Sequence, residues 1–416
     1  MMGGVALQIL ELAQLATLAA VAGRAFSSVP VFLLTFVLLL ILVEARRHYR
    51  VNHHIRHPTA SFLELSKHPG IIAEAFAARR PCAVLYAESF TPRSGPMIGA
   101  IFWHHGFASH AARYHWVVPR LVEAGFGVYL HDARGHGRSC GWLRLQHCGL
   151  HALAEDVAAM IARPSLPRGV PVFVLGVSVG GLVVCKSLLE VRQPRRIRGL
   201  ILSSPYLISM NKDQTKPLLV QLLLFGSSLV CPWLKLPNKP KAAQEASSAA
   251  LYGPDPHEVL LAADPLVTPG FGPRFRQIDI PIAAARMTAA EYDLGGKLAR
   301  LHGGMHLLLQ HGTEDIATDP EGTKRLYEQA AAAAGGDALA QEGVATVRRS
   351  LPRHREVGES TLTIYDGFPH VMQMAREEVR GRVWDDTLAW LKAHAEAGDE
   401  EEALEDETSP SARLVG

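Results

Sequence analysis

The chain has 416 residues, 48 % of them hydrophobic, and a formal net charge of +2. With charge this near balance and no basic stripe interleaved with aromatics, composition gives no reason to expect a nucleic-acid partner. The five cysteines are odd in number and follow no pairing pattern, which fits reducing surroundings and argues against a disulfide scaffold.

Two apolar stretches open the chain, and they differ in kind. Residues 5–22 put Gln8, Glu11 and Gln14 on one side of a helix, opposite a wide leucine and alanine face, as an interfacial helix or one arm of a hairpin would. Residues 29–43, VPVFLLTFVLLLILV, are nearly continuous apolar sequence. Inserting their Leu, Ile, Val and Phe side chains into a bilayer is worth roughly 6 kcal/mol, so a single-pass N-terminal membrane anchor is expected here. A cleaved signal peptide is not, because EARRHYR follows the run where a small-residue cleavage site would be needed. Arg46, Arg47, Arg50 and Arg56 follow the span and only Arg24 precedes it, which places the rest of the chain on the cytosolic side.

Further on, MIGAIFWH at 97–104 reads as a strand running into the loop HGFASHAARY at 105–114. Gly106 allows close backbone approach there, so the N–H of Phe107 is a candidate oxyanion donor. His105 and His110 read as loop-structuring, and His104 beside His105 has no further residue at ligand spacing, so no metal is expected. FGVYLHDARGHGRS at 126–139 is an apolar strand ending in a Gly-rich turn whose GxG lacks phosphate-loop spacing, which excludes a nucleotide site.

The most informative segment is PVFVLGVSVGGLVVCKSLL at 171–189, an apolar strand that enters G-x-S-x-G-G and leaves as an apolar helix. That context is a nucleophile elbow: the turn forces the serine backbone into strain and lifts its hydroxyl clear, while flanking glycines let strand and helix pack closely. Ser178 is therefore the candidate nucleophile, with the N–H of Val179 as the other oxyanion donor.

A serine nucleophile in this setting needs an acid and then a base downstream. MHLLLQ at 305–310 ends in the polar loop HGTEDIATDP, where Asp315 is the candidate acid and Glu314 and Asp319 compete with it. His302, His306 and His311 precede or sit inside that strand and are in the wrong order for the base. TLTIY at 361–365 leads through Asp366 and Gly367 to His370, the candidate base, which is expected to open a helix. Between acid and base, 331–360 carries an alanine run and then VRRSLPRHREVGES, the composition of a solvated loop whose arginines could also touch anionic lipid. The apolar, Trp-bearing 216–236 lies where a helical cap would be inserted, either as a buried helix or as a lid that meets lipid. The acidic end reads as a disordered tail.

HGFASHAARY, DARGHGRS, LGVSVGGLVV, ADPL at 263–266, LLLQHGTED and YDGFPHV occur in an order and spacing that resembles the monoacylglycerol lipases and related lysophospholipase-like serine hydrolases. The resemblance covers roughly residues 82–391. It implies an α/β-hydrolase fold: a mostly parallel central sheet flanked by helices, with a helical cap. It also implies a Ser178, Asp315, His370 triad, oxyanion donors at Phe107 and Val179, Arg113 near the glycerol end of the pocket, and lipid ester substrates with no cofactor. Val177 and Val179 replace the family's usual His and Met around the nucleophile, and Ser109 replaces a glutamate. The expected divisions are an anchor at 1–50, hydrolase core at 51–204, cap at 205–300, core at 301–396 with the inserted loop 331–360, and a tail at 397–416. The expected activity is hydrolysis of a lipid ester, monoacylglycerol foremost, at a membrane. The alternatives are a lysophospholipase, thioesterase or acyltransferase using the same residues, or a non-catalytic membrane-tethered binding protein.

Overall fold

The computed structural model describes residues 29–140, 149–210, 279–334 and 358–396, except 82, 165, 194, 302 and 303, with isolated positions 223, 226, 251, 264, 266 and 267 between. The expected interfacial stretch 5–22, most of the cap including 216–236, the inserted loop from 335 to 357 and the tail 397–416 lie outside the described residues.

Eight strands form one sheet: β1 Ile71–Arg80, β2 Ala83–Pro92, β3 Gly99–His104, β4 Phe126–His131, β5 Val172–Val177, β6 Gly199–Ser203, β7 His306–Gly312 and β8 Ser360–Tyr365. Their spatial order is β1-β2-β4-β3-β5-β6-β7-β8, antiparallel where β2 meets β1 and β4 and parallel from β4 onward. Parallel strands joined by helical crossovers are covered on both faces, which is why these read as continuous apolar runs. Alternation along them sends Phe102, Val174, Leu200 and Leu307 into the core on one face and Trp103, Phe173, Ile201 and Leu308 into the core on the other. The first face is covered by helices including Leu150–Ala162 and Val179–Glu190, the second by helices including Val118–Glu123 and Glu377–Glu396.

The expected anchor falls on residues 29–43. Among the described residues no helix is long and apolar enough to cross a membrane. The apolar run is the first half of a single 28-residue helix, α1, Val29–Arg56. This helix continues because its second half finds a surface to pack on: Val51 is fully buried with Val84, Tyr86 and Cys140, and Arg50 donates to the Gly137 carbonyl. Of the apolar half, Val37, Leu38, Ile41 and Leu42 are exposed.

The base region also differs from expectation. His370 does not open the long helix, which begins at Glu377. A short 3₁₀ turn, Met372–Met374, intervenes and ends at an extended Ala375, and the Val371 N–H bonds outward to the Leu251 carbonyl at 2.9 Å. The alanine run assigned to the inserted loop closes a helix, Pro320–Ala333, capped by the Asp319 side chain at its start.

Buried charge holds the turn after β4. Asp132 accepts from the backbone N–H of Ala111 and from Arg138, through both its backbone N–H and its Nε. Arg138 also donates to Glu88, which accepts from Tyr86 Oη and His115 Nε2. Asp132, Glu88 and Arg138 are essentially inaccessible. Arg138→Ala is expected to cost about 3–5 kcal/mol, because two buried carboxylates would lose their shared cation. Urea denaturation of wild type and variant measures this, and a loss under about 1 kcal/mol would contradict the assignment.

Candidate active site

Ser178 lies at the junction of β5 and the helix Val179–Glu190, with φ 55° and ψ −123°. An L-residue adopts this backbone only when its surroundings impose it, at about 1–3 kcal/mol. The bend is imposed from both sides. Its N–H bonds to the Ser203 carbonyl at 3.0 Å, and its carbonyl accepts from Gly181 and Tyr206. Glycine is required at 180, where a Cβ would stand 2.5 Å from the carbonyl oxygens of His104 and His105, and at 176, where it would stand 2.7 Å from the Gly181 Cα.

The bend delivers the Ser178 hydroxyl to an imidazole from far along the chain. His370 Nε2 lies 2.9 Å from Ser178 Oγ, and His370 Nδ1 lies 2.6 Å from Asp315 Oδ2. His370 and Asp315 are both buried. Since Nδ1 faces a carboxylate it carries the ring proton, which leaves the Nε2 lone pair to accept from the serine hydroxyl. Burial pushes the Asp315 carboxyl up, but hydrogen bonds from His311 and then His370 outweigh it and hold the group far below the usual carboxylate range. The Asp315 loop is itself pinned, with Glu314 N–H bonded to Phe368 O and the Ala317 and Thr318 N–H groups donating to Asp315 Oδ1.

Sequence reasoning singled out Ser178, Asp315 and His370, and the structure brings their side chains together. Glu314 is exposed, and Asp319 caps a helix instead. Phe107 and Val179 line one small pocket with Gly106, Leu153, Val183 and Ile280. Val179 opens its helix, so its N–H has no partner within that helix. Arg113 is half-buried in the 3₁₀ segment Ala111–Val117. Its charge acts on Asp264, which pairs with His110 at 2.7 Å.

His105 is structural: its Nδ1 bonds Gly106 O, its Nε2 accepts from Ala133 N–H, and burial holds its pKa well below the ordinary value. His311 was passed over as wrong in order for the base, yet its Nε2 lies 3.0 Å from Asp315 Oδ2. Its place at the end of β7, four residues before the acid, is the signal that could have found it.

One cluster has metal-ligating chemistry. His306, Glu359 and His394 bring ligand atoms within 4.8 Å of one another at the start of β7, the sheet end away from His370. His306 is pushed down to about 3 by burial, by His394 and by Arg198 and Arg196. Two guanidinium groups beside one carboxylate disfavour a divalent cation there.

The chain matches the family described as "Serine aminopeptidase, S33" over residues 95–342, more than half its length. It is 29 % identical over 329 residues to a monoacylglycerol lipase of Mycolicibacterium smegmatis, covering 77 % of this chain and 96 % of the relative. It is 26 % identical over 313 residues to the monoglyceride lipase of Homo sapiens, covering 74 % and 86 %. In fold it is similar to a soluble variant of the Saccharomyces cerevisiae monoglyceride lipase solved with a substrate analogue, with a TM-score of 0.59 and 18 % identity over 77 % of this chain and 95 % of that one.

Because the Asp315 carboxyl is depressed in the folded state, its stabilising contribution is complete above the unfolded carboxylate range and is lost as pH falls through and below it. Asp315→Asn is therefore expected to lower Tm at neutral pH and to flatten the fall of Tm between about pH 5 and pH 2. Parallel acid-side slopes in wild type and variant would contradict this.

Proposed function

The chain belongs to the serine aminopeptidase S33 family, and we propose that it is a serine hydrolase of the monoacylglycerol lipase type, cleaving a carboxylic ester of a lipid through an acyl-Ser178 intermediate. The observation that carries this reading is the relay from Ser178 Oγ through His370 to Asp315. His370 Nε2 takes the hydroxyl proton as Oγ attacks the acyl carbonyl, and Asp315 holds the imidazole in its tautomer and stabilises the cation formed. The N–H groups of Phe107 and Val179 receive the developing oxyanion. The proton on His370 then passes to the leaving alcohol. Water, deprotonated by His370 in turn, attacks the acyl-serine and returns the hydroxyl.

The substrate class is supported by two observations. Phe107 and Val179 share a small apolar pocket with Leu153, Val183 and Ile280. The relatives whose names specify monoacylglycerol are matched along nearly their whole length. Arg113, beside Asp264 and His110, is the residue assigned to the glycerol end.

Association with a membrane is part of the same reading. Val37, Leu38, Ile41 and Leu42 form an exposed apolar face on α1, and the exposed Arg46 and Arg56 lie further along that helix. Apolar burial followed by basic contact with headgroups is how an amphipathic helix holds a bilayer surface, and the arginines favour its cytosolic leaflet.

Full-length protein treated with a fluorophosphonate is expected to be labelled at Ser178, and Ser178→Ala to abolish labelling. Monoacylglycerol turnover in that variant should fall by about 10⁴-fold or more. A folded wild type that is neither labelled nor active would overturn the reading. Wild type is also expected to float with phosphatidylcholine and phosphatidylserine vesicles, and Leu38→Glu with Leu42→Glu to stay in the pellet fraction. Equal flotation would remove α1 as the contact.

A further inference from the structure

We propose that His311 is a positioning residue of the reaction: its Nε2–H shares the Asp315 carboxylate with His370 and so sets how tightly His370 holds a proton. This rests on the triad reading above. His311 is fully buried, next to last in β7. Asp315 Oδ2 is the meeting point: it lies 3.0 Å from His311 Nε2 and 2.6 Å from His370 Nδ1, and accepts from the Thr318 hydroxyl at 2.7 Å.

The orientation of the His311 ring follows from its two sides. Nε2 faces two acceptors, the Thr318 carbonyl at 3.2 Å and the Asp315 carboxylate at 3.0 Å, which puts the proton on that nitrogen, and Nδ1 then needs a donor. The Thr323 hydroxyl provides one at 2.8 Å. Thr323 is buried in the helix Pro320–Ala333, so the helix after the acid loop locks the ring that locks the acid. Asp315 is the titratable group that His311 contacts among the described residues, with His370 on the far side of the same carboxylate, and Thr318 and Thr323 complete its polar contacts.

The chemical consequence has two parts. Burial alone would raise the Asp315 carboxyl, and the His311 hydrogen bond is foremost among the effects that overcome it. The acid therefore stays ionised throughout the range in which a neutral His370 is needed. The same bond draws charge from Oδ2, the oxygen that stabilises an imidazolium on His370. A base held too strongly by its acid would stay protonated and could not take the Ser178 proton. Sharing the oxygen with a second imidazole tempers that pull.

The test is the second-order rate of fluorophosphonate labelling of the full-length protein as a function of pH, which needs no knowledge of the lipid. His311→Ala is expected to move the acid limb of that profile upward by about half a unit to one unit, since the carboxylate then bears on His370 alone. His311→Gln, whose side-chain N–H reaches toward the same oxygen, is expected to return the limb toward wild type. Thr323→Val frees the His311 tautomer without touching Asp315 and is expected to shift the limb the same way by less, so the inference stays testable should His311→Ala fail to fold. A purely structural His311 would lower the labelled fraction and leave the limb in place. Labelled, folded variants with unmoved limbs would overturn the inference and leave the triad standing, whereas an unlabelled, folded wild type would remove the triad itself.

Discussion

The sharp bend at Ser178 is the constraint on which the site depends. A residue at φ 55° and ψ −123° stores strain, and the fold holds it with a hydrogen bond from the neighbouring strand and with two glycines that allow contacts closer than any Cβ permits. Both supports come from parallel strands flanking β5, so the bend exists only once β3, β5 and β6 are in register. The hydroxyl is thus a product of the whole sheet rather than of the local motif. A pentapeptide of the same sequence would have no reason to hold it.

A second support comes from buried charge. The loop that carries Phe107 is tied at Ala111 to Asp132, which is tied to Arg138 and through it to Glu88 and His115. Burial opposes the ionised form of both carboxylates, and the neighbouring cations override it. Such a cluster adds little net stability compared with apolar packing, since desolvation offsets most of the attraction. What it supplies is direction: hydrogen bonds of fixed geometry, which leucines in the same volume would not give. The turn DARGHGRS reads from sequence as merely structural, and its structural work is to fix the loop that carries Phe107.

Much of this was legible because parallel strands buried on both faces leave unbroken apolar runs, and each run here ends in the residue that matters. Ser178, Asp315 and His370 all follow such runs, and the geometry joins them. The edge hairpin of β1 and β2 was not singled out. IIAEAFAARR mixes alanine with charge, and its pairing with the next ten residues depends on contacts that no short window contains. Chain order excludes His311 as the base. Order says where a base can stand, and nothing about a second ring beside the acid. The helix placed directly after His370 was displaced because a tertiary bond, Val371 N–H to Leu251 O, took the backbone elsewhere. Helical periodicity records propensity and contains no such term.

That same bond bears on how the cap relates to the chemistry. Among the described residues between 211 and 278, Leu251 O accepts from the residue after His370, and Asp264 pairs with His110 in the loop that carries Phe107. One contact holds the backbone beside His370 and the other the loop of Phe107. The Asp264 carboxyl is depressed despite burial by its bond to His110. Residues far apart in the chain thus meet both loops, and neither bond is encoded by the local sequence of the loop it holds.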